Sequence, residues 1–313
     1  MSGLILSAAF LFSASAAPIP VILDTDLGDD IDDTWALAML LGSPQVDVKL
    51  IVTASDDTPT KTRLVAKILD GMGRTDIPLA QGVKNSDNKI NQAQWLGDYQ
   101  LTQYKGEVID DGVGALIDEI KNAKDKIALC VIGPQTNIKA ALERDPSIAE
   151  KARVILMAGS VHIGYDGKEG RSPEWNVVKD VPAAKAVFAA PWEITMAPLD
   201  ICGTLRLVGP RYNAVKVSKN PLASTTIDNY ENWVNRKQHP ADSSSILFDT
   251  AAAYLAFDES LMEIETVKLS VDDKGNTVPD ENGRPVRCAL RWKDREAFEQ
   301  LLLDALTKTS PAK

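Results

Sequence analysis

The sequence predicts an α/β fold, a mostly parallel central sheet flanked by helices, with further helices and a small hairpin towards the C-terminus. Two observations carry the prediction. Short apolar runs alternate with helical patterns from residue 19 to about residue 200, the signature of successive βα units. The first run ends directly on a carboxylate cluster, and parallel sheets bind their ligands beyond the carboxyl ends of the strands.

Residues 21–23 read as the first strand, followed by a helix from about Asp33 (Trp35, Ala36, Ala38, Met39, Leu40). Residues 48–53 precede a helix through Leu64, Ala66 and Ile68, and residues 127–132 precede one over 138–142. A strand at 154–157 comes next, and one at 194–197 follows a helix around 183–190. Then the pattern changes. Residues 221–237 and 245–257 read as helices, 263–269 and 286–292 as a hairpin around a Gly- and Asp-rich turn, and 294–306 as a closing amphipathic helix. With no linker, repeat or low-complexity block, residues 17–313 are expected to form one domain.

Residues 3–12 are apolar but too short to span a bilayer. Ala14 and Ala16 suit cleavage after Ala16, so residues 1–16 are expected to be a signal peptide and the protein exported, periplasmic or secreted. No Lys or Arg precedes the apolar run; the alternative is a plain N-terminal extension on a cytoplasmic protein. The formal charge of −10 and the lack of a dense Lys/Arg run argue against nucleic-acid and anionic-membrane partners. No second segment is long enough to cross a membrane. Cys130, Cys202 and Cys288 are widely separated and lack metal-site spacing.

Asp24, Asp26, Asp29, Asp30, Asp32 and Asp33 place six carboxylates within ten residues. Such charges repel, and burying one unpaired costs several kcal/mol. A bound cation relieves both, and an all-oxygen donor set points to calcium or magnesium. An EF-hand fails, because counting from Asp24 puts Gly28 fifth and Trp35 twelfth. A phosphatase of the haloacid-dehalogenase type, with Asp24 as nucleophile, would want Thr or Val where Gly28 stands. The third reading is a calcium site on a strand-to-helix turn, completed by distant ligands.

Later segments favour the third. The run from Asp24 to Asp33, followed by Ala36 and Leu37, resembles the N-terminal signature of the nucleoside hydrolase family. The likeness is to the bacterial branch in which two extra residues separate the glycine from the paired aspartates. Gly133-Pro134-Gln135-Thr136-Asn137 resembles that family's second motif, Glu174-Trp175-Asn176 with Asp180 its ribose-binding motif, and Ile246-Leu247-Phe248-Asp249 its C-terminal metal motif. The resemblance implies a Rossmann-like core and a calcium ion held by Asp26, Asp33, the main-chain oxygen of Thr136 and Asp249. It further implies Asp26 as general base, with Asp32 and Asn176 on ribose hydroxyls and Glu174 at the ribose 5′ end. The implied reaction is hydrolysis of the N-glycosidic bond of a nucleoside, by a dimer or tetramer.

Each residue also has a plainer reading. Asp33 and Asp249 could be helix caps, Glu174 and Asn176 loop hydrogen-bonders, and Asp29 a solvated carboxylate. Asp56, where many members carry Asn, could join the substrate site or cap the next helix. Lys168 replaces an Asn of the ribose motif, so an anionic 5′ group met by Lys168 or Arg171 becomes an option. Phe248 replaces the His that many members place before the last aspartate. His239 is then the natural candidate acid, and Tyr230 and Trp233, on one helical face, a platform for the base; core packing and a solvated His are the alternative. A nucleoside-binding relative with little turnover is the rival reading of the whole chain.

Overall fold

The computed structural model describes residues 17–308, so the export segment expected at residues 1–16 lies outside them. β1 (Ile19–Thr25) leads into α1 (Asp32–Gly42), and β2 (Val46–Thr53) into α2 (Thr58–Met72). Two short strands, β3 (Leu79–Gln81) and β4 (Val108–Ile109), precede α3 (Gly112–Asn122). β5 (Ile127–Val131) is followed by α4 (Thr136–Arg144) and α5 (Ile148–Lys151). β6 (Ala152–Met157), α6 (Trp175–Lys179), α7 (Val181–Ala189) and β7 (Glu193–Ala197) continue the alternation. Four helices come next: α8 (Leu199–Cys202), α9 (Gly209–Val217), α10 (Pro221–Asn232) and α11 (Phe248–Leu255). β8 (Met262–Val271), β9 (Thr277–Pro279), β10 (Arg284–Trp292) and α12 (Arg295–Thr307) close the chain.

All ten strands join one sheet in the order β4-β3-β2-β1-β5-β6-β7-β10-β8-β9. Pairing is parallel from β4 to β10; β8 runs antiparallel to β10, and β9 to β8. From β1 the chain moves outward to β2, then returns to place β5 on the other side. This reversal opens a crevice beyond the carboxyl ends of β1 and β5.

Side chains alternate across the strands, so β1 serves two cores. Val21 and Leu23 pack with Trp35, Met39 and Leu64 on one face, Ile22 with Leu116, Ile138 and Val187 on the other. Every residue of α1 is buried, as expected of a helix apolar on all sides. It packs on α10, α11 and α12. A Cβ at Gly42 would lie 1.9 Å from the main-chain oxygen of Ala305, so α1 and α12 touch backbone to backbone. Among the described residues no helix is long and apolar enough to cross a membrane.

Three expectations need correction. The helix read over 221–237 ends at Asn232, because Trp233 turns to an extended backbone and its indole donates to the main-chain oxygen of Asp29 at 2.9 Å. The helix read from 245 begins at Phe248: the hydroxyls of Ser243 and Ser244 bond to nearby carbonyls instead, a local competition that disfavours helix. The hairpin of β8 and β10 carries an extra strand, β9, on its outer edge.

Candidate active site

The crevice at the β1/β5 switch point is a cavity of about 550 Å³. Its first wall is the loop leaving β1. Gly28 has φ +135°, a conformation open to glycine, and a Cβ there would meet Ile90 at 2.8 Å. Gly133 lies so close that a Cβ would be 2.8 Å from the Asp26 amide nitrogen. Beneath the loop Lys61, fully buried on α2, donates to the main-chain oxygens of Asp26 at 2.8 Å and Ala54 at 3.3 Å. It also pairs with the Asp29 carboxylate at 3.0 Å. Burial alone would lower the Lys61 pKa; the charges of Asp26 and Asp29 outweigh it and raise it. Asp29 is therefore an ion-pair partner rather than a solvated loop acid.

Asp24 points away from the cavity and accepts from Asn137 Nδ2 at 2.7 Å, while its other oxygen is buried with no partner among the described residues. Burial pushes its carboxyl up to about 7. Asn137 also donates to the Thr53 carbonyl and accepts from the Val83 amide. The second motif thus braces three strand ends.

Asp26, Asp30, Asp32, Asp33 and Asp249 all line the cavity. Asp32, Asp33 and Asp249 offer oxygens within 4.8 Å of one another. This closest trio includes Asp32, which the sequence assigned to the sugar, and omits Asp26. Neither Asp33 nor Asp249 caps a helix: Asp33 accepts from Thr25 Oγ1 at 2.5 Å, and the cap positions are Ile31 and Leu247. Asp32 accepts from the Asp249 amide at 3.2 Å, tying α1 to α11. Burial, then mutual repulsion, holds Asp32, Asp33 and Asp249 well above the usual carboxylate range. Burial carries Asp26 and Asp30 to about 6. A buried, all-oxygen, mutually repelling set fits a hard cation.

Thr136 does not line this cavity. It is the first residue of α4, where helix geometry commits its carbonyl to the fourth residue on, and its hydroxyl donates to Asp180 at 2.7 Å. Ile132, four residues earlier at the end of β5, does line it. At this turn it is Ile132, not Thr136, that reaches the cavity.

Glu174 is buried at the start of α6 and accepts from the amides of Gly159 (3.0 Å), Asn176 (2.9 Å) and Val177 (3.3 Å). Burial still pushes its carboxyl up to about 7, against those three bonds. Asn176 Nδ2 donates to the carbonyls of Ile132 at 3.1 Å and Met157 at 3.0 Å. Two carbonyls on one side fix the amide orientation, leaving Oδ1 as the acceptor for a ligand. Asp56 does not cap α2. Its carboxylate accepts from Ser86 (2.6 Å) and Asn88 (2.8 Å) and pairs with Lys179 (3.1 Å), whose ammonium lies 5.1 Å from the Trp175 ring centre. Lys168 is exposed on Asp166, Arg171 bonds to the Val161 carbonyl, and neither lines the cavity. The cavity's lysines are Lys89 and Lys179.

The last wall is aromatic. Trp233 stacks on His239, with ring centres 5.6 Å apart and planes at 8°. Phe248 meets Tyr165 edge to face at 6.2 Å. Tyr230 is fully buried against Trp35 and Tyr212, so it supports Trp233 from the core rather than sharing a face with it.

Sequence reasoning missed Lys61, Ile132 and Tyr165. Lys61 had a signal: it shares the buried face of α2 with Leu64, Val65, Ile68 and Met72. Ile132 had none, because a strand-end isoleucine reads as core in side-chain pattern.

These features define an α/β protein that takes a small ligand at its strand ends, beside a carboxylate set able to hold a metal. The family model of the inosine-uridine preferring nucleoside hydrolase matches residues 21–301. A pyrimidine-specific ribonucleoside hydrolase of Enterobacter sp. (strain 638) is 30% identical over 67% of this chain and 69% of its own. The inosine-uridine preferring nucleoside hydrolase of Crithidia fasciculata is 28% identical over 93% and 98%. A plant nucleoside hydrolase structure superposes with a TM-score of 0.79 at 25% identity, covering 93% of this chain and all of that one, 100%. The chain belongs to the inosine-uridine preferring nucleoside hydrolase family. It is a glycosidase that hydrolyses the N-glycosidic bond of nucleosides.

Proposed function

We propose that the chain is a calcium-dependent ribonucleoside hydrolase whose ion is held by Asp26, Asp33, Asp249 and the main-chain oxygen of Ile132. The buried carboxylate set carries this reading: six to eight oxygen ligands at flexible geometry suit calcium better than the strict octahedron of magnesium. When bound, the ion would supply a shared oxygen shell for ribose hydroxyls and the attacking water.

The chain's own residues do the rest. Asp26 takes the proton of water as its oxygen bonds to C1′, and the C1′–N electron pair leaves with the base. A carboxylate set beside the attacking water is placed to take its proton. Asp32 and Asn176 Oδ1 accept from ribose hydroxyls. Glu174 lies at the 5′ end, and Asp56 with Lys179 bounds the cavity. The cavity's carboxylates favour the positive charge that develops on the sugar. The aromatic wall of Trp233, His239, Tyr165 and Phe248 receives the base.

A panel of ribonucleosides assayed for free ribose, with calcium and with chelator, tests the reading. Release should require calcium and collapse in Asp26→Ala. Tight calcium binding without release from any nucleoside would favour a binding protein. Full activity in Asp26→Ala would refute the mechanism.

A further inference from the structure

His239 has only one other histidine for company in the chain, His162, and lines the cavity beside Phe248. Its Nδ1 lies 3.4 Å from Arg206 Nη1. A guanidinium can only donate, so Nδ1 must be the bare, accepting nitrogen. Arg206 is itself fixed, donating from the same nitrogen to the Ser244 carbonyl at 3.1 Å. The proton of the neutral ring therefore sits on Nε2, which has no hydrogen-bond partner among the described residues.

We infer that His239 is a fixed, neutral Nε2–H donor to an acceptor atom on the leaving base, not the acid that protonates it. This rests on the nucleosidase reading and sharpens its substrate class to bases with a keto oxygen or bare ring nitrogen within reach of that donor. The base departs with the C1′–N electron pair, is stabilised by the hydrogen bond, and takes its proton from solvent water.

The charges around the ring agree. Burial, then Arg206 and Arg236, lower the His239 pKa. Arg236 donates to the His239 and Pro240 carbonyls and pairs with Glu231 at 3.2 Å. The Trp233 stack sets the plane of the ring. Phe248 offers no proton at all.

Nitrogen-15 spectra of histidine-labelled protein carrying His162→Gln isolate one imidazole. The expected pattern is bare Nδ1 with protonated Nε2 from about pH 6 to 8, and titration moving upward, towards the ordinary value of about 6.5, in Arg206→Met. An imidazolium, or a protonated Nδ1, at neutral pH would overturn the inference. His239→Phe keeps a ring on Trp233 and removes the donor. It should lower kcat/KM about tenfold, one neutral hydrogen bond, without changing the shape of the pH profile. A fall of about a hundredfold or more that also removes a limb of the profile is the signature of a general acid, and would overturn it too. The spectra need no turnover, so absence of nucleosidase activity would sink the functional reading and leave the tautomer measured on its own.

Discussion

Lys61 Nζ lies 2.8 Å from the main-chain oxygen of Asp26 and 3.0 Å from the Asp29 carboxylate, with its side chain fully buried. One ammonium thus anchors the loop that carries Asp26, Asp29 and Asp30. Lys61→Met keeps the volume and removes the charge. It should lower unfolding free energy by about 2 kcal/mol, because a largely buried pair loses one partner. Urea titration reads the change, and a variant as stable as wild type would show that the ammonium contributes nothing net.

Asp26→Asn should separate activity from stability. Loss of the base should cost about a thousandfold in kcat. The same change removes a carboxylate that repels its neighbours in the cation-free protein, so the melting temperature in chelator should hold or rise. A destabilised variant would mean that Asp26 is held by attraction rather than strained by repulsion.

Calcium should stabilise the protein more as pH rises. Burial raises Asp26 and Asp30 to about 6 and Asp24 to about 7. Raised folded-state values mean that, without a cation, this cluster favours the fold fully below about pH 4 and loses that contribution as pH climbs through 6 to 7. A cation takes the place of the protons. The gain in melting temperature from calcium over chelator should be small near pH 5 and large near pH 7.5. A gain independent of pH would place the ion elsewhere.

Glu174 gives a second titration, outside the metal set. Its carboxyl, raised to about 7 by burial, favours the fold below about pH 4.5 and loses that contribution as pH rises through 7. Glu174→Gln removes the titration. The stability of the variant relative to wild type, measured in chelator, should rise across that window by up to about 3 kcal/mol. A parallel pair of stability curves would show that Glu174 is ionised throughout.

The sequence disclosed what side-chain pattern can carry. Central strands such as 127–132 are continuous apolar runs, and the four motifs are rows of polar residues set against them. β3 and β4 were silent because three and two residues are too few for any period to show. The end of α10 was silent because it is set by Trp233 reaching Asp29, 204 residues away in sequence. Thr136 and Ile132 differ for a subtler reason. The motif marks the turn correctly, but its hydroxyl residue faces Asp180 while the plain isoleucine faces the cavity.

The burial of every residue in α1 has a consequence for how the active site ages and fails. Behind Asp32 and Asp33, the interior of α1 from Ala36 to Leu41 is sheathed by α10, α11 and α12, so its amides can meet solvent water only through large openings of the molecule. Deuterium uptake there should be among the slowest in the chain, slower than at Trp233 and His239 on the far wall. The sugar's anchor is as durable as the fold itself, and wear should begin on the side that receives the base.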